Sequence, residues 1–247
     1  MQKRINLFLT AVLFCFMSSA SYANELKSNV FLLVDFSNSY FTPERIESRI
    51  QRNIEQFSSA VSSKRDGPKK PTLIQVLPIN AVSEASAPIC EYKLLRKRLL
   101  GGKKKCGAFP DAFCSTDSSE LQEYLDDECS EIVLSTPVEY ATDISGALAL
   151  TSQLIDSQEA DDSYIVIFSD MFEYRLENLP LSKIDMKGAK VLVVCGGGFN
   201  EETDVIKLCS GTEDIWRSKL TELGASSVEY TIETSRWADG KAKGFFR

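Results

Sequence analysis

The 247-residue chain contains no histidine. That absence removes the imidazole on which Ser-His and Cys-His catalytic pairs depend, and with it a common nitrogen ligand of zinc. There is no C-x-x-C pair either, so the seven cysteines lack the spacing of a zinc site. Beyond the amino terminus no apolar run is long enough to span a bilayer. Internal repeats, low-complexity linkers and a G-x-G-x-x-G phosphate loop are absent; Gly196-Gly197-Gly198 reads as a permissive turn. Basic residues are outnumbered, 28 against 35 acidic, for a net charge of −7, which gives no sign of a nucleic-acid partner.

What is present begins with an export pattern. Lys3 and Arg4 precede the apolar run Ile5 to Met17, and small residues follow up to Ser21-Tyr22-Ala23. These are the three parts of a cleaved secretory signal. Residues 1–23 are therefore expected to be removed, leaving a protein that is periplasmic or secreted and does not span the membrane. Removal lowers the basic count to 26 and makes the net charge −9. The 224 remaining residues suffice for one substantial core, expected over 24–235 with a cysteine-bearing insertion at about 81–137, followed by a tail at 236–247.

In an oxidising compartment the even set Cys90, Cys106, Cys114, Cys129, Cys195 and Cys209 predicts disulfides. Six cysteines allow 15 connectivities; pairing neighbours, Cys90 with Cys106, Cys114 with Cys129 and Cys195 with Cys209, is the simplest. The insertion also holds a basic cluster, Lys93, Arg96, Lys97, Arg98, Lys103, Lys104 and Lys105, and an acidic one from Glu120 to Glu131. The functional reading is a patch for an anionic partner such as a membrane surface or cell-wall polymer; the preferred one is two solvated faces that neutralise one another.

Strand and helix patterns alternate. Val30 to Val34 and Tyr164 to Ser169 are continuous apolar runs of buried-strand type, with further strands at Thr72–Leu77, Val191–Val194 and Val228–Thr231. Ile46, Ile50, Ile54, Phe57 and Val61 share one helical face, behind Thr42 as cap and Pro43 as first residue; Ile144, Ala147, Leu148, Thr151, Leu154 and Ile155 share another. A third helix carries Ile215, Trp216, Leu220 and Leu223 and stops at Gly224. The fold class is α/β, a doubly wound, mostly parallel central sheet flanked by helices.

Asp35, Ser37 and Ser39 stand as D-x-S-x-S at the end of the first apolar run. One carboxylate and two hydroxyls offer hard oxygen ligands, suited to Mg²⁺ or Mn²⁺. Asp170 ends the buried-strand run Tyr164 to Ser169 as Asp35 ends the first, and Thr142 opens a helix, where it or Asp143 also suits an N-cap. If the two strands are parallel neighbours, both acids emerge at the carboxyl edge where such sheets bind ligands.

At these residues the chain resembles the von Willebrand factor A (vWA) domain family. Its metal-ion-dependent adhesion site uses a D-x-S-x-S loop, a threonine from a second loop and an aspartate from a third, which correspond here to Asp35, Ser37, Ser39, Thr142 and Asp170. The resemblance implies a central sheet with one short antiparallel strand, a bound Mg²⁺ or Mn²⁺, and a protein partner whose carboxylate completes the metal's octahedron. Where the family reads Thr-Asp-Gly, this chain has Ser169-Asp170-Met171, which puts the path of the third loop in question. Phe36, Tyr40, Phe41, Met171 and Phe172 flank the acid loops as candidates for an apolar rim around the cation, about half of them expected to turn inward. The leading function is thus a metal-dependent binding module without catalysis. Alternatives are a metal-assisted hydrolase of phosphate esters, using Asp35 and Asp170 to hold Mg²⁺, and a structural exported domain without metal.

Overall fold

The computed structural model describes residues 26–40, 46–63, 65–94, 114–115, 118–175, 182–197, 205–233, 236–242 and 244–246. The signal segment, Phe41, Thr42, Pro43, Cys106 and the basic residues from Arg96 to Lys105 lie outside them.

The apolar run at Val30–Val34 forms strand β1 (Ser28–Asp35), buried at every position. Its alternation divides the interior in two. Val30, Leu32 and Val34 face one layer, and Phe31 and Leu33 face the other. Helix α1 (Ile46–Ser62) packs Ile50, Ile54, Phe57 and Val61 into the first layer. Strand β2 (Thr72–Ile79) continues through Pro78, where the sequence predicted its end. Pro78 is tolerated because the pairing of β2 with the antiparallel β3 (Cys90–Leu94) stops at Val76, so its missing N–H interrupts no ladder on that side. β3 is the short antiparallel strand that the family resemblance implied.

Beyond β3 come the edge strand β4 (Cys114–Ser115), helix α2 (Ser118–Tyr124), a π-turn (Leu125–Cys129) and helix α3 (Ser130–Ser135). Helix α4 (Ile144–Gln158), β5 (Asp162–Ser169), β6 (Lys190–Cys195), α5 (Val205–Glu222), β7 (Ser227–Ile232) and α6 (Trp237–Gly240) complete the order. Among the described residues seven strands lie as β4-β3-β2-β1-β5-β6-β7; β1 pairs in parallel with β2 and β5, as do β5 with β6 and β6 with β7. The second layer is filled from α4 and α5 by Ile144, Ala147, Leu148, Ile155, Trp216 and Leu220. Ile215, placed by sequence on the apolar face of α5, points to solvent.

Two expectations are corrected. Cys90 is bonded to Cys129 rather than Cys106, so Cys129 is not the partner of Cys114; Cys195–Cys209 forms as expected. Pairing sequence neighbours assumed that the insertion is a separate excursion. Instead Cys90 belongs to the sheet and faces the helical layer, where the π-turn delivers Cys129 with 5.8 Å between the Cα atoms. The residues expected to trail as a tail at 236–247 contribute Trp237, Ala242, Phe245 and Phe246 to the first layer. Phe246 meets Phe57 and Tyr164, and Trp237 meets Phe168 edge to face.

Candidate metal centre

Asp35 is the last residue of β1, and Asp170 follows the last residue of β5. Because Val34 pairs with Phe168 in parallel register, the two acids leave neighbouring strands at one edge. There the sheet order changes direction: β1 leads outward to β2 on one side, whereas β5, β6 and β7 build outward on the other. Loops at such a switch diverge and leave a crevice between them.

Four of the five candidate ligands form one hydrogen-bonded group. Asp35 is fully buried; its Oδ1 accepts from the Ser37 N–H at 2.8 Å and its Oδ2 from the Ser169 hydroxyl at 2.6 Å. The hydroxyls of Ser37 and Ser39 lie 3.0 Å apart, and that of Ser39 bonds to Asp170. Asp170 Oδ1 accepts from the Phe172 N–H at 2.9 Å. Thr142 is joined through its backbone: its N–H donates to the Tyr174 carbonyl at 2.8 Å, and the Tyr174 N–H donates back at 2.9 Å. Its segment is tied to the first loop as well, by Asn38 N–H to Glu139 O and Glu139 N–H to Phe36 O, both 2.8 Å. Each of the three loops is thus fastened to the other two.

The N-cap of α4 is Asp143, which accepts from the Gly146 N–H at 2.9 Å and pairs with Arg175 Nε at 2.9 Å. Glu173 adds to this clamp by accepting from the Ser145 N–H at 2.6 Å and pairing with Lys219 at 3.2 Å. The third loop keeps a glycine-like path despite Met171, whose φ is 63°. A left-handed backbone at a side-chain-bearing residue costs about 1 kcal/mol. Burial of Met171 and a 2.8 Å bond from Trp216 Nε1 to its carbonyl hold it there. Gly197, at φ 97°, closes the back of the site: a Cβ there would stand 3.0 Å from the Tyr40 ring and 3.4 Å from Asp170 Cβ.

Burial pushes the Asp35 carboxyl up to about 7, and the Asp170 charge adds to the rise against the hydrogen bonds from Ser169 and Ser37. Burial also raises Asp170, opposed by Ser39, the Phe172 N–H and, more remotely, Arg49. Among the described residues no Lys or Arg forms an ion pair with either carboxylate; Arg49 instead donates to the Tyr40 carbonyl at 2.8 Å and pairs with Glu233 at 3.5 Å. Two adjacent buried acids without a cationic partner are costly as anions, and a divalent cation offsets that cost. Among the described residues no group of three or more His, Cys, Asp or Glu is placed so that it could hold a metal ion. The side chains that meet here are two carboxylates and serine hydroxyls, oxygen groups of the kind that suit a hard ion over zinc or copper.

The expected rim is largely corrected. Phe36 and Tyr40 are buried in the first layer and Met171 in the second, where they join the core rather than a rim, and Phe41 lies outside the described residues. Among the described residues of that set, Phe172 alone is exposed. Sequence reasoning also missed Ser169 as the hydroxyl that bridges the two acid loops, although its place before Asp170 was the available signal. Arg49 and Glu233 meet across 184 residues, with no local pattern to announce them.

No protein-family model matches the chain, and no curated protein matches its sequence. Solved structures do. The D319A mutant of the PilB minor pilin from Streptococcus sanguinis aligns over 90% of this chain and 60% of its own, at 10% identity and a TM-score of 0.51. A von Willebrand factor type A protein from Catenulispora acidiphila aligns over 90% of this chain and 41% of its own, at 11% identity and a TM-score of 0.48. Manganese-loaded TRAP from Plasmodium vivax aligns over 90% and 74%, at 12% identity and a TM-score of 0.44. The chain thus spans less than two thirds of the pilin. At such identities the likeness concerns fold alone, and that to the pilin agrees with the strand order and flanking helices described above: a doubly wound, mostly parallel α/β sheet.

Proposed function

We propose that the chain is an exported vWA-like binding module that engages a protein partner through Mg²⁺ or Mn²⁺ held by Asp35, Ser37, Ser39, Thr142 and Asp170. The observation that carries this reading is the pair of buried acids at the sheet's switch point, hydrogen-bonded to Ser37, Ser39 and Ser169 and lacking an ion-pair partner among the described residues. Such a pair is a poor stability device and a good cation site. Some ligands act directly and others through water. The partner's Asp or Glu takes a remaining coordination position, so binding needs no catalytic base, in keeping with a chain that has no histidine. Export is supported by the signal-like amino terminus and by two disulfides.

The test is metal-dependent melting joined to partner capture. A cation at about 100 times its dissociation constant adds roughly 2.7 kcal/mol. Wild type is expected to melt higher in Mg²⁺ or Mn²⁺ than in chelator and to retain an exported polypeptide only with metal. Ser37→Ala, which removes a ligand but little packing, is expected to fold and to lose both effects. Equal melting of wild type with and without either metal overturns the reading.

A further inference from the structure

The apolar surface of this protein is unevenly distributed. Of eight large hydrophobic side chains exposed among the described residues, five (Val82, Val138, Tyr140, Phe172 and Tyr174) lie in the loops at the carboxyl edge of the sheet. Tyr140 is 85% exposed, Tyr174 62% and Phe172 49%. Single exposed apolar residues are ordinary, but a group at one edge is not.

Their backbones are fixed to the candidate ligands. Tyr174 is bridged to Thr142 in both directions, Tyr140 lies between that bridge and the Glu139–Ser37 bridge, and the Phe172 N–H is bonded to Asp170. Val138 adjoins Glu139, whose Oε2 accepts from the Ala81 N–H beside Val82. The exposed aromatics therefore stand on the Thr142 and Asp170 side of the site, whereas the residues following Asp35 turn inward. Such a one-sided shelf suits a ligand that runs away from the metal in one direction.

We propose that this shelf sets partner specificity: the occupant is an extended polypeptide segment whose acidic side chain reaches the cation and whose neighbouring bulky apolar residues lie on Tyr140, Phe172 and Tyr174. The inference rests on the metal-dependent reading above. Charge complementarity selects the carboxylate, because a divalent ion held by only two acids keeps affinity for a third anion. The shelf selects what flanks that carboxylate, since aromatic side chains supply large contact area at the centres of interfaces.

A random 12-residue peptide display library, selected on the full exported domain in Mg²⁺ and eluted with chelator, separates the outcomes. Peptides with an Asp or Glu beside aromatic or aliphatic residues are expected. The same peptides should bind Y140S/F172S/Y174S at least tenfold more weakly, while that variant keeps its metal-induced melting shift. Enriched acids with polar neighbours, undiminished binding to the triple variant, or recovery of no peptide overturns the shelf but leaves the metal reading standing. Peptides without an acid, or insensitive to chelator, overturn both. A Mg²⁺-dependent dimer in sedimentation that the triple variant abolishes would assign the shelf to a second copy of the chain and overturn the peptide occupant.

Discussion

Replacing Asp35 by Asn is expected to stabilise the metal-free protein, the reverse of the usual result at a buried hydrogen-bonded residue. The Asp35 carboxyl titrates near 7 in the fold against 3.8 as a free side chain. That difference corresponds to roughly 4 kcal/mol against the folded state once both forms are ionised, at about 1.4 kcal/mol per pH unit. The sign follows from the upward shift: stability from this group is complete below 3.8 and is lost as pH rises through 7. Asn has no charge to bury, and its Oδ1 can still accept from the Ser37 N–H. Its amide, however, can only donate toward Ser169, which must turn from donor to acceptor at a cost of about 1 to 2 kcal/mol. The net gain at pH 7.5 in chelator is therefore about 2 to 3 kcal/mol, a melting rise of roughly 5 to 10 °C for a domain of this size. At pH 5 the wild-type group is protonated in the fold, and the two proteins should melt within a few degrees of each other. Other raised acids titrate too, so the wild-type minus variant difference across pH is the quantity to read, by calorimetry in chelator. Added Mg²⁺ should lift the wild type alone. An Asp35→Asn protein that melts below wild type at pH 7.5 in chelator, or a difference that does not change between pH 5 and 7.5, refutes the reasoning.

Mapping of non-reduced peptides is expected to show Cys90–Cys129 and Cys195–Cys209, with Cys106 joined to Cys114 and no thiol open to alkylation. Phe246→Ala, which opens the aromatic packing against Phe57 and Tyr164, should cost about 3 to 5 kcal/mol by denaturant unfolding, whereas a free tail would show almost none. Met171→Gly relieves the left-handed backbone but empties a buried position. Because the lost packing outweighs the relief, a net destabilisation of about 1 to 3 kcal/mol is expected, with the metal response retained.

The layers were legible because strands buried on both faces leave continuous apolar runs and the helices leave 3.6-residue stripes; β1, β5, α4 and α5 were all visible in this way. The acids of the candidate site were legible for a related reason, since each ends such a run. Orientation around the site was not. Phe36, Tyr40 and Met171 look as suitable for a rim as Tyr140 and Tyr174, and only their packing into the core layers decides between them. Pairings distant in sequence, such as Arg49 with Glu233 or Phe57 with Phe246, leave no periodic trace. Cys129 was misassigned on the same ground: proximity along the chain stood in for proximity in space.

The Cys90–Cys129 bond also constrains how the protein matures. In the export proposed above, the chain would emerge from its amino terminus, so that Cys90 would meet Cys106 and then Cys114 before Cys129 arrives. An oxidant that joins cysteines in order of appearance would first close Cys90 onto Cys106, and the native bond then requires thiol–disulfide exchange. Cys195 and Cys209 are consecutive and escape this problem. The yield of active protein should therefore depend on a disulfide isomerase, or on β3 docking against the π-turn before oxidation. Expression with an oxidase alone would accumulate a species correctly bonded at Cys195–Cys209 and wrongly bonded in the insertion.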